Sequence, residues 1–221
     1  MKTGKPPFRI VILGNQFQMK TPFLGLVKMT MRNVCDFLIA LICIALVLSG
    51  CNPRDQAFSG QMAMSHLQKL CSFGPHPVGS SSQQRVRAYI THTLQKLGWE
   101  VQEQEFTYKG IEGCNIFAFK GKGKAILIGT HYDTRPYADR NPPESRNQPI
   151  LGANDGNSGT AALLELARTL DVDKSGLQVW LAFFDAEDRG NLNGWPFSVG
   201  ASFAAERNLD FVAVIVIDMI G

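Results

Sequence analysis

The chain has 221 residues, 45% hydrophobic and 19% charged, the composition of an ordinary globular protein with room for one sizeable core. Its formal charge of +3 is unevenly placed: residues 1–50 hold six basic residues (Lys2, Lys5, Arg9, Lys20, Lys28 and Arg32) and one acid, Asp36, which leaves 16 basic and 18 acidic residues from position 51 onward. The basic excess therefore belongs to the leader, and the body offers no electrostatic case for binding nucleic acid.

All six basic residues precede an apolar run from Phe37 to Leu48. That run is too short for a comfortable membrane span and fits the core of a signal peptide. Residues 1–28 exceed a usual basic region, which points to Met29 or Met31 as the start. The run ends in Leu48-Ser49-Gly50-Cys51. Small residues just before a cysteine resemble the lipobox of bacterial lipoproteins, and the resemblance implies that Cys51 becomes an acylated N-terminus. The alternative is an uncleaved N-terminal anchor helix. Either reading makes residues 1–50 a targeting segment and places the body outside the cytoplasm, held to a membrane. Of the five cysteines, Cys35 and Cys43 fall in the leader and only Cys71 and Cys114 remain in the body. An oxidising compartment would let that pair join, though nothing in its spacing requires it.

Residues 51–60 are mostly polar and read as a tether. A helix is expected from Gln61 to Leu70, with Met62, Leu67 and Leu70 on one face. Phe73 to Ser80 is a loop by its Gly and Pro content. A second amphipathic helix spans Gln83 to Leu97, buries Val86, Tyr89, Ile90, Leu94 and Leu97, and is capped by Gly98. Val101 to Tyr108 reads as an exposed or edge strand, and Cys114 to Lys120 as another strand. Three apolar runs follow: 125–130, 179–184 and 211–217. Runs of this length without alternation fit strands buried on both faces. Helices over Ser158 to Leu170 and Ala201 to Arg207 separate them. The expected fold of residues 61–221 is α/β: a three-layer αβα domain with a mixed, mostly parallel sheet.

Each apolar run ends in a residue able to bind metal or move protons. The first leads into His131-Tyr132-Asp133, the second into Asp185-Ala186-Glu187-Asp188, and the third into Asp218. A fourth site, Asp155, lies in the glycine-rich loop 152–159. In open α/β sheets the C-terminal strand ends share one rim, where ligands bind. Taken singly, Asp155 and Asp185 read as helix caps or turn residues, His131 as a rim histidine and Asp218 as a turn residue. Together they aim four distant segments at one place. Bare carboxylates gathered there would repel one another, and a divalent cation removes the conflict. One His with several carboxylates suits zinc at an open catalytic site. Of the adjacent Glu187 and Asp188, one can bind metal while the other handles protons. Other residues read as structural: Glu165 on a solvated helix face, Phe183 and Phe184 in the core, and His66, His76 and His92 without a partner pattern. Trp195 is read equally as a pocket wall or a surface aromatic. A Ser nucleophile elbow and a phosphate loop are both lacking.

Several stretches in this order resemble peptidase family M28, the zinc exopeptidases, and within it the glutaminyl-peptide cyclotransferase-like branch. They are residues 129–136, 149–159, 183–188 and 217–221, with Phe73 to Ser80 similar to the family's early Gly-Pro…Gly-Ser loop. The resemblance implies that Asp155 binds zinc, that Glu187 is the general acid/base, and that Asp188 is a zinc ligand where many relatives carry Glu. In two-zinc aminopeptidases the residues matching His131 and Asp218 hold the second metal and the one matching Asp155 bridges. In the cyclotransferases one zinc is usual, and the Asp218 position joins the proton network. Asp133 would orient the His131 ring. Two activities on the N-termini of peptides or proteins stay open, glutamine cyclisation with ammonia release and aminopeptidase hydrolysis. A non-catalytic binding domain on the same scaffold is the third reading. The family also needs a further His ligand from a later segment, so a C-terminally incomplete domain is expected.

Overall fold

A computed structural model describes residues 57–221; the leader, Cys51 and most of the expected tether lie outside the described residues. The chain order is α1 (Gly60–Ser72), α2 (Ser81–Lys96), β1 (Glu100–Tyr108), β2 (Ile111–Gly121), β3 (Lys124–His131), a 3-10 turn (Pro143–Ser145), α3 (Asn157–Thr169), the short α4 (Val172–Ser175), β4 (Leu177–Phe184), α5 (Val199–Ala205) and β5 (Phe211–Val216). Serines start the first two helices: Ser59 Oγ accepts from Met62 N at 3.3 Å and Ser80 Oγ from Gln83 N at 3.1 Å.

The strands form one sheet in the order β1-β2-β4-β3-β5. β2 pairs antiparallel with both β1 and β4, while β3 pairs parallel with β4 and β5. Only β2 therefore runs against the rest, which gives the expected mixed, mostly parallel α/β sheet. Successive side chains on the central strands enter two different cores, as a period of two requires. Ile116, Ala118, Val179, Leu181 and Phe183 pack with Ile90 and Leu94 of α2 and Leu163 and Leu164 of α3. Phe117, Leu127, Trp180 and Ala182 face the other side, under Ala204 of α5 and Phe211. This two-sided burial explains why the runs in β3 and β4 show no polar alternation.

Four expectations need correction. β5 is not buried on both faces: it is an edge strand among the described residues, with Val212, Val214, Ile215 and Val216 50–65% exposed. Met62 points to solvent. Trp195 is neither a surface aromatic nor a wall of the acidic pocket described below. It is buried with Val78, Phe106, Ala186 and Val199, and the Arg189 guanidinium lies 4.8 Å from its ring. Glu165 is not on a solvated face either, because it is fully buried. Its carboxylate takes both Nε and Nη2 of Arg168, at 2.8 and 2.7 Å, and the Ser59 backbone N–H at 2.8 Å. Arg168 also donates to the Ala57 carbonyl, so the end of the expected tether is docked onto α3. Cys71 and Cys114 are free thiols. Among the described residues no helix is long and apolar enough to cross a membrane.

The Arg168 hydrogen bonds hold the Glu165 carboxyl below its ordinary range. A depressed folded-state pKa adds stability that is present above the unfolded value and lost as the pH falls through the folded one. Glu165→Ala should lower the unfolding free energy by about 1–3 kcal/mol at neutral pH, and the deficit should shrink in acid. Urea unfolding of the two proteins at a series of pH values measures both.

Candidate metal centre

Three strand ends and one helix start build the site. β3 ends in His131, which is 4% exposed. Its carbonyl accepts the Thr160 hydroxyl of α3 at 3.0 Å. Tyr132 and Asp133 follow, and Tyr132 N donates to Phe184 O of β4 at 2.9 Å, carrying the pairing one step past the strand. Ile217 N donates to Gly129 O at 2.9 Å and brings Asp218 to the same rim from β5.

Asp155 comes from the loop before α3. Gly156 there has φ +85°, and a Cβ on it would sit 2.7 Å from Asp133 O and 3.0 Å from the His131 ring. Only glycine lets this loop lie against His131. Asn154 and Ser158 tie the loop to the segment beyond Asp218: Ile220 N donates to Ser158 Oγ at 3.1 Å and Gly221 N to Asn154 Oδ1 at 3.0 Å.

Asp133 is fully buried and contacts more than the His131 ring. Its Oδ1 lies 3.4 Å from His131 Nδ1 and accepts Glu187 N at 3.0 Å, while Oδ2 accepts Asp188 N at 3.1 Å. One carboxylate thereby joins the end of β3 to the turn after β4. Asp185, the acid before that turn, is structural: it accepts Cys114 N and Ala186 N, each at 2.8 Å, and the Gln83 amide. Burial first, then the nearby Asp133 charge, push its pKa up.

His131 Nε2 lies 3.1 Å from Asp155 Oδ1 and 3.3 Å from Asp218 Oδ1, and Nδ1 lies 4.0 Å from Glu187 Oε2. Both ring nitrogens are buried without a hydrogen-bond partner. Burial alone would lower the His131 pKa, but Asp133, Asp155 and Glu187 override it and drive the value up to about 11. The surroundings thus call for positive charge at this ring. Asp155 is correspondingly held low by His131. Burial raises Glu187, and burial with Asp155 and Asp133 pushes Asp188 up to about 7.

This donor set fits a metal. The ligand atoms of His131, Asp155 and Asp218 all lie within 4.8 Å of one another. Ligand atoms around one tetrahedral zinc ion are about 3.3 Å apart, and the two His131–carboxylate distances match that spacing. A cation there would take the place of the proton that the acids otherwise force onto the imidazole.

Asp188 stands apart from this trio. It lines the same pocket of about 330 Å³ with Asp155, Glu187 and Asp218, but its Oδ1 accepts from Arg135 Nη1 at 3.3 Å. A larger cleft of about 630 Å³ beside Arg87, Glu105 and Glu112 contains none of the expected site residues; chemistry, not volume, locates the centre. Two site neighbours escaped the sequence reading. His76 is fully buried, its N–H donates to Thr134 Oγ1 at 2.9 Å, and its carbonyl accepts Thr134 N at 3.3 Å. The only signal for it was its place in the Gly/Pro loop 73–80. Arg135 follows Thr134 and bridges Asp139 to Asp188; it lay inside a recognised stretch that assigned it no role.

Residues 115–221 match the model of Peptidase family M28. The glutaminyl-peptide cyclotransferase of Gloydius blomhoffii is 31% identical over 151 residues, which cover 57% of this chain and 40% of that protein. The crystal structure of Porphyromonas gingivalis glutaminyl cyclase superposes with a TM-score of 0.70 at 30% identity, covering 74% of this chain and 62% of that one. That of a Zn-dependent exopeptidase from Parabacteroides distasonis gives a TM-score of 0.67 at 30% identity, with coverage of 74% and 62%. The chain thus spans about 40% of the length of that cyclotransferase and just over three-fifths of the two solved structures.

If Asp133 links ring and turn as described, Asp133→Asn should weaken zinc binding by about 10–100-fold while the folded core persists. Competition with a chromophoric chelator, alongside circular dichroism, reads the two effects. Residues 115–221 are thus similar in sequence to peptidase family M28, and the fold is that of the zinc exopeptidases and glutaminyl cyclases it superposes on.

Proposed function

We propose that the protein is a zinc-dependent glutaminyl-peptide cyclotransferase, which converts the N-terminal glutamine of peptides or proteins to pyroglutamate and releases ammonia. The observation that carries a zinc enzyme of this kind is a trio spaced for a cation, two of whose members, Asp155 and Asp218, line one pocket with the half-buried carboxyl of Glu187, whose pKa is raised. The likeness to cyclotransferases over the same segment supports it. His131, Asp155 and Asp218 would hold zinc, a reading supported by the spacing of their ligand atoms, with Asp188 on the pocket wall as a further donor. Bound zinc would supply the positive charge that polarises the γ-carboxamide.

The chain's own groups perform the proton transfers. Glu187 takes a proton from the peptide's α-amine as that nitrogen attacks the γ-carbonyl carbon, then delivers it to the departing ammonia. Its carboxyl is kept in place from behind: Glu187 N donates to Asp133, and Ser198 Oγ lies 3.4 Å from Glu187 Oε1. Asp218, whose Oδ1 lies 3.3 Å from His131 Nε2, would support the relay instead of binding metal if a single zinc is held without it. Ile150, Phe197 and Met219 supply apolar surface beside the acids.

A second reading is favoured by the match to the exopeptidase from Parabacteroides distasonis. Here Glu187 would activate water and the products would be free amino acids. Incubating the full-length protein with Gln-initiated peptides separates the two. Pyroglutamyl peptide with one ammonia per turnover supports the cyclase, whereas shortened peptide and free glutamine refute it. Glu187→Gln should cut kcat by about 10²–10⁴ and leave KM nearly unchanged; unaltered turnover would remove Glu187 as the proton carrier, and no turnover by the wild type would point to a binding domain without catalysis. We further propose that Cys51 anchors the protein outside the cytoplasm as a lipoprotein, supported by the small residues before it and the short apolar run. Cells fed labelled palmitate should mark the wild type and not Cys51→Ala, and equal labelling of both would rule this anchor out.

A further inference from the structure

Arg135 is 9% exposed, and each of its three side-chain nitrogens donates to the protein. Nε and Nη2 grip both oxygens of Asp139, at 2.6 and 2.9 Å. Nη1 donates to Asp188 O at 2.9 Å and approaches Asp188 Oδ1 and Gly190 O, each at 3.3 Å. One face of the planar fork is thus fixed by Asp139, and the remaining nitrogen holds Asp188 by both its backbone and its side chain. Asp188 Oδ2 accepts no hydrogen bond among the described residues, although the residue lines the pocket with Asp155, Glu187 and Asp218.

We propose that Arg135 is the positioning residue that sets Asp188 as a zinc ligand: it occupies one carboxylate oxygen and leaves the other for the metal, while Asp139 fixes its aim. The proposal rests on the reading of Asp188 as a ligand. It has an unusual sign. A guanidinium next to a divalent cation repels it, so electrostatics alone requires that removing Arg135 tighten zinc binding. Positioning requires the reverse. Lysine keeps the charge but has no planar fork, and it cannot hold Asp139 through two bonds while also reaching the carbonyl and carboxylate of Asp188.

The test is the zinc dissociation constant of the full-length protein, measured by chelator competition, with the melting temperature of the metal-free form confirming that each variant is folded. Arg135→Met and Arg135→Lys should each weaken binding by about 10–100-fold. In an Asp188→Asn background, Arg135→Lys should cause no further loss, because the two residues act as one unit. A merely structural role for Arg135 would weaken binding equally in both backgrounds and would overturn the proposal. Tighter binding by Arg135→Met, or unchanged binding by Arg135→Lys, would overturn it as well. If Arg135→Met does not fold, the lysine variant and the double-variant comparison decide alone. Unchanged affinity in Asp188→Asn itself would instead remove the ligand reading, a failure distinct from that of Arg135 as its positioner.

Discussion

The imidazole of His131 sits among Asp133, Asp155, Glu187 and Asp218, each with an oxygen within 4.0 Å of a ring nitrogen. So many acids around one buried ring do not coexist without a positive charge, and the rest of the site is arranged around that requirement. Unmetallated, the charge is a proton, held to a pKa of about 11. A cation in its place would satisfy His131 Nε2 and two carboxylates at once. Such a site would bind metal by exchanging it for that proton, which differs from a surface cluster of acids that water already satisfies.

Holding acids together against their repulsion is the work of the backbone. Asp133 meets it with two N–H groups from the following turn, and Asp185 with two more. Those donors cannot move away, because Cys114 lies within β2 and the other three belong to the turn that continues directly from β4, which is paired on both sides within the sheet. The stiffness originates in the two cores. Residues of β4 alternate between the α2–α3 layer and the Phe117–Trp180 layer, so a slip of one residue would invert the burial of Val179 to Phe184. Fold and site are therefore one mechanical unit: register sets the turn, and the turn sets Glu187 and Asp188.

What could be read from the sequence was what depends on near neighbours or on strand ends. The apolar runs revealed β3 and β4 because burial on two faces removes polar alternation within a few residues, and β5 by the same apolar signal without that burial. His131, Asp155 and Asp218 were legible because topology sends strand ends and helix starts to one rim, and the structure brings these three together. Glu165 was illegible because its burial depends on a backbone N–H 106 residues earlier, at Ser59. Trp195 escaped because its cluster is assembled from the 73–80 loop, β1 and the start of α5. For Arg135 the decisive partner, Asp188, lies 53 residues away, and no periodicity records that contact. The exposure of β5 was hidden for the opposite reason: an apolar run announces that it can be covered, not what covers it.

The acids themselves do not choose between cyclisation and hydrolysis. In either proposed reaction Glu187 would move a proton from an attacking nucleophile to a leaving nitrogen, and positive charge would be wanted beside the same carbonyl. The difference is whether the nucleophile is the substrate's own amine or a water molecule. That is decided by how the pocket folds the glutamine side chain back on its N-terminus and how well it keeps water from the carbonyl, so it belongs to the walls and not to the charges. Phe197 lies flat against Gly190, where any side chain would collide with its ring, and it borders the pocket with Ile150 and Met219. A chain that keeps every acid and alters this apolar rim could therefore change its reaction while keeping its metal. The identity of the catalyst is written in the rim acids, and the identity of the reaction in the apolar residues beside them.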